Sequence, residues 1–394
     1  MAGAYHSIEG WFDFDDIYEL ALRRCSWRKP ARFVEVGAYK GRSACYMAER
    51  LVETGLEGVS LAVVDTFAGD DAVGHGDLWP EFAGNLERAG LLTRLAVHRR
   101  PSVEAARGFA DRSLDFVFID ACHTYAAVRD DLAAWWPKVK PGGLIAGHDY
   151  TNWPGVKVAV DEFVASQGLA YAFRASRSSW MIYRSIAIDA AYCINLARRA
   201  DRRQRAQAQF EAAGLDGTVA FLEAEDGAAL AHPRAISDGQ AGCCASHLAA
   251  LRAAREGGHR HVLMFEDDIE LAPGFQHEFA VSLARCPASF DLCYVGAICV
   301  AGWGNYLHPL DDRLARVGSV CGTHAYVVNM DCQPAIETGL ADLTNVIDNW
   351  YARAIQPLGD CFALTPWLGF QASGWSDVAG GYNANGAYAG YVWR

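Results

Sequence analysis

No apolar run in the 394-residue sequence reaches the roughly 18 residues of a membrane-spanning helix, so no transmembrane segment is expected. There is no Cys-x-x-Cys pair either. The 12 cysteines lack a framework spacing, and the closest two, Cys243 and Cys244, are neighbours that do not easily bridge. Scattered and mostly apolar-flanked, as at Cys45, Cys193 and Cys293, they read as small core residues in a reducing compartment. The spacing argues against a structural zinc site. The start, MAGAYHSIEGWFDFDD, is acidic and lacks a basic-then-apolar leader, so a cytoplasmic rather than exported chain is expected. Positive charge is short: 35 Lys and Arg against 47 Asp and Glu give a net charge of −12. That argues against a nucleic-acid partner. The 38 Gly and 13 Pro show no period, which excludes a collagen-like or low-complexity chain. A hydrophobic content of 52% excludes disorder, and the length suggests two or three domains.

What is present is alternation. In the first half, short apolar runs (ARFVEVGA, SLAVVDTF, LAVHRR, LDFVFIDA, GLIAGHDY) alternate with helix-period stretches at Ser43–Glu53, Val103–Phe109, Tyr125–Trp136 and Val156–Ser166. A helical pattern around Phe14–Arg24 precedes them, and a terminal strand pair near YAFRA and SSWMIYR follows. This order predicts an α/β fold with a mostly parallel sheet and helices on both faces. The second half restarts at AIDAAYCINL and continues with a basic helix ending at Gly214. A helix over Cys243–Glu256 and strands at HVLMFEDDIEL and FDLCYVGA complete it, again α/β. The junction at Arg184–Asp189 has no Pro/Gly/Ser linker, so directly packed halves are expected, with domains at 1–185 and 186–394.

Gly37 follows the first strand and permits a sharp turn; Gly41 permits close approach of a ligand. The loop lacks the G-x-G-x-x-G spacing of a dinucleotide site. Asp65 ends the next strand, where an acid can accept both hydroxyls of a ribose or simply be solvated. Asp120 and Asp149 end two further strands, and in a parallel sheet their carboxylates meet at the ligand edge. With His148 nearby they make an oxygen-rich site for a hard ion such as Mg²⁺. His123, three residues past Asp120, is a candidate general base; the alternative is that both histidines cap loops.

The run VEVGAYKGRS, VVDTF, FIDACHTY and WWPKVKPGGLIAGHDY resembles class I S-adenosylmethionine-dependent methyltransferases, notably the macrocin-like sugar O-methyltransferases, over residues 10–184. The resemblance implies a Rossmann-like domain with S-adenosylmethionine held by Glu35, Gly37, Tyr39, Gly41 and Ser43, and Asp65 on its ribose. It also implies Asp120 and Asp149 as metal ligands, with His148 standing where relatives often carry an acid. Mg²⁺-dependent O-methylation is the expected chemistry.

In the second half, Glu266-Asp267-Asp268 follows the apolar strand Val262–Phe265. Strand alternation puts Glu266 and Asp268 on one face and Asp267 on the other. Three uncompensated acids repel unless solvated or bound to a cation. Asn195 ends an earlier strand, and Arg198 opens an arginine run whose forks suit phosphate, although such runs are usually solvated faces. That run, Arg198–Arg205, also leaves open an anionic acceptor or a peripheral membrane contact.

The blocks INLxRRxDR, GCxxSH (Gly242–His247) and EDD, with Cys321–Tyr326, Asp348 and Ser376-Asp377 behind them, resemble glycosyltransferase family 25 over residues 188–380. The resemblance implies a GT-A-like fold and a nucleotide-sugar donor, most often a UDP-sugar, at Asn195 and Arg198. Mn²⁺ or Mg²⁺ would sit at Glu266 and Asp268. Inverting transfer needs a base, for which Asp348 is the first candidate and Asp377 the second. The expectation is a bifunctional glycan-tailoring enzyme with a small-molecule or glycan acceptor. The alternatives are a methyltransferase carrying an inactive carbohydrate-binding module, and a non-enzymatic scaffold. Trp135, Trp136, Trp303, Trp350, Trp367 and Trp375 read as core residues before sugar platforms. His75 lies in a loop, Ala68–Asp77, that would lid the methyl site.

Overall fold

The computed structural model of the chain describes residues 3–26, 28–69, 76–299, 306–376 and 381–383. The chain divides into two compact units, Met1–Ser185 with Pro287–Ser289, and Ile186–Cys286 with Phe290–Arg394.

The first unit is built on seven strands: β1 Ala31–Val36, β2 Val59–Asp65, β3 Leu95–Arg99, β4 Leu114–Ile119, β5 Val139–Gly147, β6 Phe173–Ser176 and β7 Ser179–Tyr183. They order as β3-β2-β1-β4-β5-β7-β6. The pairs from β3 to β5 are parallel, whereas β7 runs antiparallel to both β5 and β6. Alternating elements need right-handed crossovers, and six helices line the sheet: α1 Asp15–Arg23, α2 Arg42–Glu53, α3 Trp79–Arg88, α4 Ser102–Ala106, α5 Tyr125–Trp135 and α6 Pro154–Ser166. Strand β4 shows why the sheet is covered on both sides. Its Val117 and Ile119 join a cluster with Val34, Val36, Ile145 and Trp135, while Phe118 meets Phe14 and Tyr18. Period-two alternation with both faces apolar buries a strand completely. The result is a Rossmann-like α/β domain. Its strand order reverses between β1 and β4, which opens a crevice at their carboxyl ends.

The second unit has an eight-stranded mixed sheet with the order β13-β14-β16-β12-β15-β10-β8-β9. Its strands are β8 Ala190–Asn195, β9 Val219–Glu223, β10 His261–Glu266, β12 Leu292–Ile298, β13 Leu307–Pro309, β14 Leu314–Val317, β15 Cys321–Asn329 and β16 Cys361–Leu364. A short pair, β11 Ile269–Leu271 and β17 Gly369–Gln371, lies beside it in sequence order. The helices are α7 Ala200–Ala212, α8 Asp238–Glu256, α9 Phe275–Leu283, α10 Gln333–Leu340 and α11 Ile347–Trp350. Val262 and Met264 of β10 pack with Leu248 and Leu251 of α8, whereas Leu263 and Phe265 pack with Phe210 of α7. The helix α8 starts five residues before the predicted Cys243. Ser237 caps it through the Gln240 N–H, and the Gln240 side chain accepts from the Ser237 N–H in return. That reciprocal box satisfies two orphan donors. Ser237→Ala is expected to cost about 1 kcal/mol, read as a lower urea midpoint by circular dichroism.

All 12 cysteines are unbridged, and none of the helices among the described residues is long and apolar enough to cross a membrane.

Candidate active sites

In the first unit, the carboxyl ends of β1, β2, β4 and β5 bring the candidate residues to one edge. Gly37 leaves β1 with φ +86°, and a Cβ there would stand 2.0 Å from the Asp120 carbonyl oxygen. Only glycine fits this close approach of the β1 and β4 loops. Tyr39, Phe67 and Asp149 are non-glycine residues with positive φ at the same edge. Such backbone is costly and persists where surrounding contacts hold it. Asp65 supplies part of that hold: its Oδ2 accepts the N–H groups of Ala38 (2.7 Å) and Tyr39 (3.2 Å), and its Oδ1 accepts that of Phe67 (2.7 Å). A carboxylate has about four lone-pair directions, so acceptor capacity is left over. Beneath the loop, Glu35 is buried and accepts the Ser43 hydroxyl. Burial lifts its carboxyl to about 8, so Glu35 is mainly a neutral acid at pH 7.

At β4 and β5, donor atoms of Asp120, His148 and Asp149 all lie within 4.8 Å of one another. His123 Nε2 stands 2.9 Å from Asp149 Oδ2 and 3.5 Å from Asp120 Oδ1. His148 Nδ1 stands 3.5 Å from Asp149 and 3.8 Å from Asp120. Its Nε2 meets Asp13 (2.7 Å) and the Ser178 hydroxyl (2.7 Å), which fixes the ring. The Asp120 and Asp149 carboxylates push His123 up to about 10. Burial acts against protonation of His148, but Asp149, Asp120 and Asp13 outweigh it and hold the ring at about 8. Asp149 is held well below the usual carboxylate range because His123 and His148 outweigh its burial. The indole of Trp153 stacks on His123 with centroids 4.9 Å apart and planes at 17°, yet is 51% exposed.

In the second unit, alternation along β10 places Glu266, but Asp267 and Asp268 lie in the turn after the strand and both stand near Arg202, so Asp268 does not share the partners of Glu266 as strict alternation predicts. Glu266 continues the α8 face of β10, so its Oε1 accepts the Thr323 hydroxyl (2.5 Å) and contacts His247 Nε2 (3.2 Å). Burial raises its pKa, but His247 and Thr323 outweigh burial and hold the carboxyl below its ordinary value. Asp267 turns to the α7 face, where Asn195 Nδ2 and Arg202 Nη1 each donate to it at 2.7 Å. Asp268 accepts from Gln371 (3.0 Å) and stands 3.6 Å from Arg202. Its Oδ1 is buried with no hydrogen-bond partner among the described residues. Burial and the neighbouring Glu266 push its carboxyl up. Asp348 accepts the N–H of Gly322 (3.2 Å) and of Asn349 (2.7 Å), and burial raises its pKa.

Residues 34–150 match the family model described as a methyltransferase domain, and residues 188–290 match that of glycosyltransferase family 25, an LPS biosynthesis protein family. The chain carries a methyltransferase domain and a glycosyltransferase family 25 domain. A glycosyltransferase 25 family member of Drosophila melanogaster is 26% identical over 166 residues, covering 37% of this chain and 27% of that protein. One from Aedes aegypti is 32% identical over 126 residues, 27% of this chain and 20% of that protein. An uncharacterized protein y4gI of Sinorhizobium fredii is 29% identical over 124 residues, of which this chain spans 13% of the length. The chain therefore spans between 13% and 27% of the length of these curated relatives. Among solved structures, the O-methyltransferase NovP aligns at 22% identity and a TM-score of 0.37, over 43% of this chain and 81% of that one.

In the methyltransferase domain, the structure brings Gly37, Asp65, Asp120, His123, His148 and Asp149 to one sheet edge. Glu35 and Ser43 bond each other below the loop. In the glycosyltransferase domain, Glu266 and Asp268 interact, and the field of Glu266 also reaches Asp348. Arg198 pairs with Asp226, and Asn195 braces Asp267. The acids are not uncompensated, as the sequence reading had it: Arg202 and His247, remote in sequence, face Asp267 and Glu266. Asp377, His75 and Trp303 lie outside the described residues, as do the side-chain surroundings of Trp375. Sequence reasoning missed Asp13, Ser178 and Trp153, which no spacing links to the site. It quoted Cys243 and His247 without a role, although their i,i+4 spacing puts both on one helix face.

Proposed function

We propose that the chain is a bifunctional glycan- or natural-product-tailoring enzyme. Its methyltransferase domain moves a methyl group from S-adenosylmethionine to an acceptor hydroxyl with Mg²⁺. Its glycosyltransferase domain moves a sugar, with inversion, from a UDP-sugar or another nucleotide sugar with Mn²⁺ or Mg²⁺. The observation that carries this reading is the convergence of Asp120, His123, His148 and Asp149 at the edge where Gly37 and Asp65 frame the crevice.

Two carboxylates and an imidazole suit a hard divalent ion, and Asp149 adopts its costly left-handed backbone at the point that aims its carboxylate at Asp120. Such an ion would bind the acceptor hydroxyl and lower its pKa. The Gly37–Gly41 loop and Asp65 would hold the cofactor's ribose end. His123 takes the acceptor proton only when the two carboxylates are neutralised. In their bare field it is already an imidazolium and has no lone pair to offer. Trp153 presents the free face of its indole next to His123, a surface for the apolar CH face of a pyranose. Trp153→Ala is expected to raise the acceptor KM about 10-fold with little change in S-adenosylmethionine affinity. Steady-state kinetics and calorimetry check this.

In the second domain, Glu266 and the orphaned Asp268 Oδ1 would hold a cation, which when bound would supply charge to offset that of the departing diphosphate. Asp348, held by two backbone N–H groups and raised by burial, is positioned to accept the acceptor's proton. Arg202 gives a second reading some support. It supplies positive charge to Asp267 and Asp268 without a metal, as a carbohydrate-binding module derived from a transferase would need. Mass spectrometry of small glycans incubated with S-adenosylmethionine and a panel of nucleotide sugars separates the two. Gains of both a methyl and a sugar support bifunctionality; methyl gain alone, with no nucleotide-sugar turnover, supports the module.

A further inference from the structure

Cys243 and His247 lie one helical turn apart on α8, and alternation along β10 aims Glu266 at the same turn. The Cys243 Sγ, a His247 ring nitrogen and a Glu266 carboxylate oxygen all lie within 4.8 Å of one another. We propose that these three residues form a site for a thiophilic divalent ion such as Zn²⁺, and that filling it withdraws Glu266 from Asp268 and shuts off sugar transfer.

The donor set differs in kind from the one at Glu266 and Asp268. Sulfur and imidazole select borderline-soft ions, whereas a pair of carboxylates selects Mg²⁺ or Mn²⁺. Donor atoms around a tetrahedral zinc stand about 3.3–3.6 Å apart, as follows from bond lengths of 2.0–2.3 Å, so modest rotamer shifts close the triad. The outer partners that orient ligands at such centres are already in place. His247 Nδ1 meets the Tyr326 hydroxyl at 2.9 Å, which leaves Nε2 on the side of Glu266. The Thr323 hydroxyl donates to Glu266. Three protein ligands leave a fourth position open, the arrangement of an exchangeable rather than a structural zinc. A search for cysteine pairs does not find it, because it uses one thiol. Binding replaces the Glu266–His247 contact: the neutral imidazole shifts its proton from Nε2 to Nδ1, where the Tyr326 hydroxyl accepts it, and the Cys243 thiol becomes a thiolate with release of its proton to solvent.

The binding claim stands on the triad alone; the shut-off rests on the glycosyltransferase reading above. The full chain, stripped of metal, is titrated with Co²⁺. With excess Mg²⁺ present to occupy the oxygen-rich sites, the expected result is a thiolate-to-cobalt charge-transfer band in the near ultraviolet that saturates at one equivalent. The band is retained in Cys122→Ser, lost in Cys243→Ser, and not displaced by excess Mg²⁺. Circular dichroism of Cys243→Ser, and of Cys243→Ala as a second variant, confirms that the fold is intact. A wild type without the band, or a folded Cys243→Ser with it undiminished, overturns the site. In the Mn²⁺-supplied enzyme, Zn²⁺ is expected to lower sugar transfer about 10-fold or more while methyl transfer continues. Zinc that binds without slowing sugar transfer overturns the shut-off. A wild type with no sugar transfer under any condition instead fails the glycosyltransferase reading, and the cobalt titration still decides the site.

Discussion

Asp268→Ala is expected to abolish sugar transfer and to leave methyl transfer at the wild-type rate. Asp268 is half-buried in the field of Glu266, and its buried Oδ1 has no hydrogen-bond partner among the described residues, an arrangement that costs free energy unless a cation or a proton completes it. On the proposed reading that oxygen is one of the two donors that would hold the cation, whose charge would offset that of the departing diphosphate. Its removal forfeits several kcal/mol of transition-state stabilisation, or about 10³-fold and more in rate. The fold should survive the change: truncation removes an acid that repels Glu266, and it loses the Gln371 hydrogen bond and the 3.6 Å contact with Arg202, which keeps its pairing with Asp267. The expected thermal midpoint is therefore close to wild type. The residues named at the methyl site all belong to the first unit, so its rate is the internal control. Parallel assays of methyl and sugar gain by mass spectrometry read both. Equal loss of the two activities in a well-folded variant would show that they are one coupled system.

Much of the first unit was legible because parallel strands buried on both faces leave an unambiguous trace. The FVFI core of β4 needs no partner to be recognised, whereas Pro141-Gly142-Gly143, which reads as a turn, lies inside β5 where its register against β4 shifts. Helix α3 was not legible. Its apolar face is only Phe82 and Leu86, too sparse a pattern to stand out, and their packing against Gly41 becomes apparent only in the fold. The second unit was harder. β15 at Cys321–Asn329 is central, flanked by β10 and β12, yet its sequence carries Gly322, Thr323 and His324 and reads as a motif rather than a strand. Its long-range antiparallel pairing supplies the order that local propensity lacks. The strand expected through HVLMFEDDIEL is broken by a turn at Asp267-Asp268 into β10, which pairs with β8 and β15, and β11, which pairs with β17.

The sites divide in the same way. Asp65, Asp120 and Asp149 were readable because position at a strand's carboxyl end is itself the signal. Asp13, which holds His148 from the segment before α1, was not, since 135 residues separate the two. Arg202 shows the opposite failure. A run of arginines on a polar helix is normally a solvated face, and nothing local distinguishes Arg202, which reaches Asp267, from Arg198, which pairs with Asp226. Charge compensation is a tertiary property, so acids that look unpaired in the sequence acquire partners only when helices dock.

Asp149→Asn is expected to lower methyl transfer by about 10²–10⁴-fold, the usual contribution of a positioned proton-transfer system, with sugar transfer unchanged. The more telling consequence appears in the metal-free chain. Asp120 and Asp149 together hold His123 at about 10, well above the ordinary imidazole value near 6.5. A pKa raised on folding stabilises the folded state fully below the unfolded value, and this contribution fades as pH rises through the folded one. The proton on His123 and a divalent ion thus compete for the same two carboxylates. Mg²⁺ affinity should strengthen with pH, by up to about tenfold per unit below that pKa, and His148, at about 8, adds its own proton to the competition below that pH. In thermal melts, the Mg²⁺-induced rise in Tm should therefore grow between pH 7 and pH 9 in the wild type. Asp149→Asn removes one of the two charges on which the competition depends. Its His123 should titrate at least one pH unit lower by NMR, and its melts should show little Mg²⁺ effect at any pH. A His123 titration unmoved by the substitution, or methyl transfer indifferent to EDTA in the wild type, would take the metal out of the mechanism.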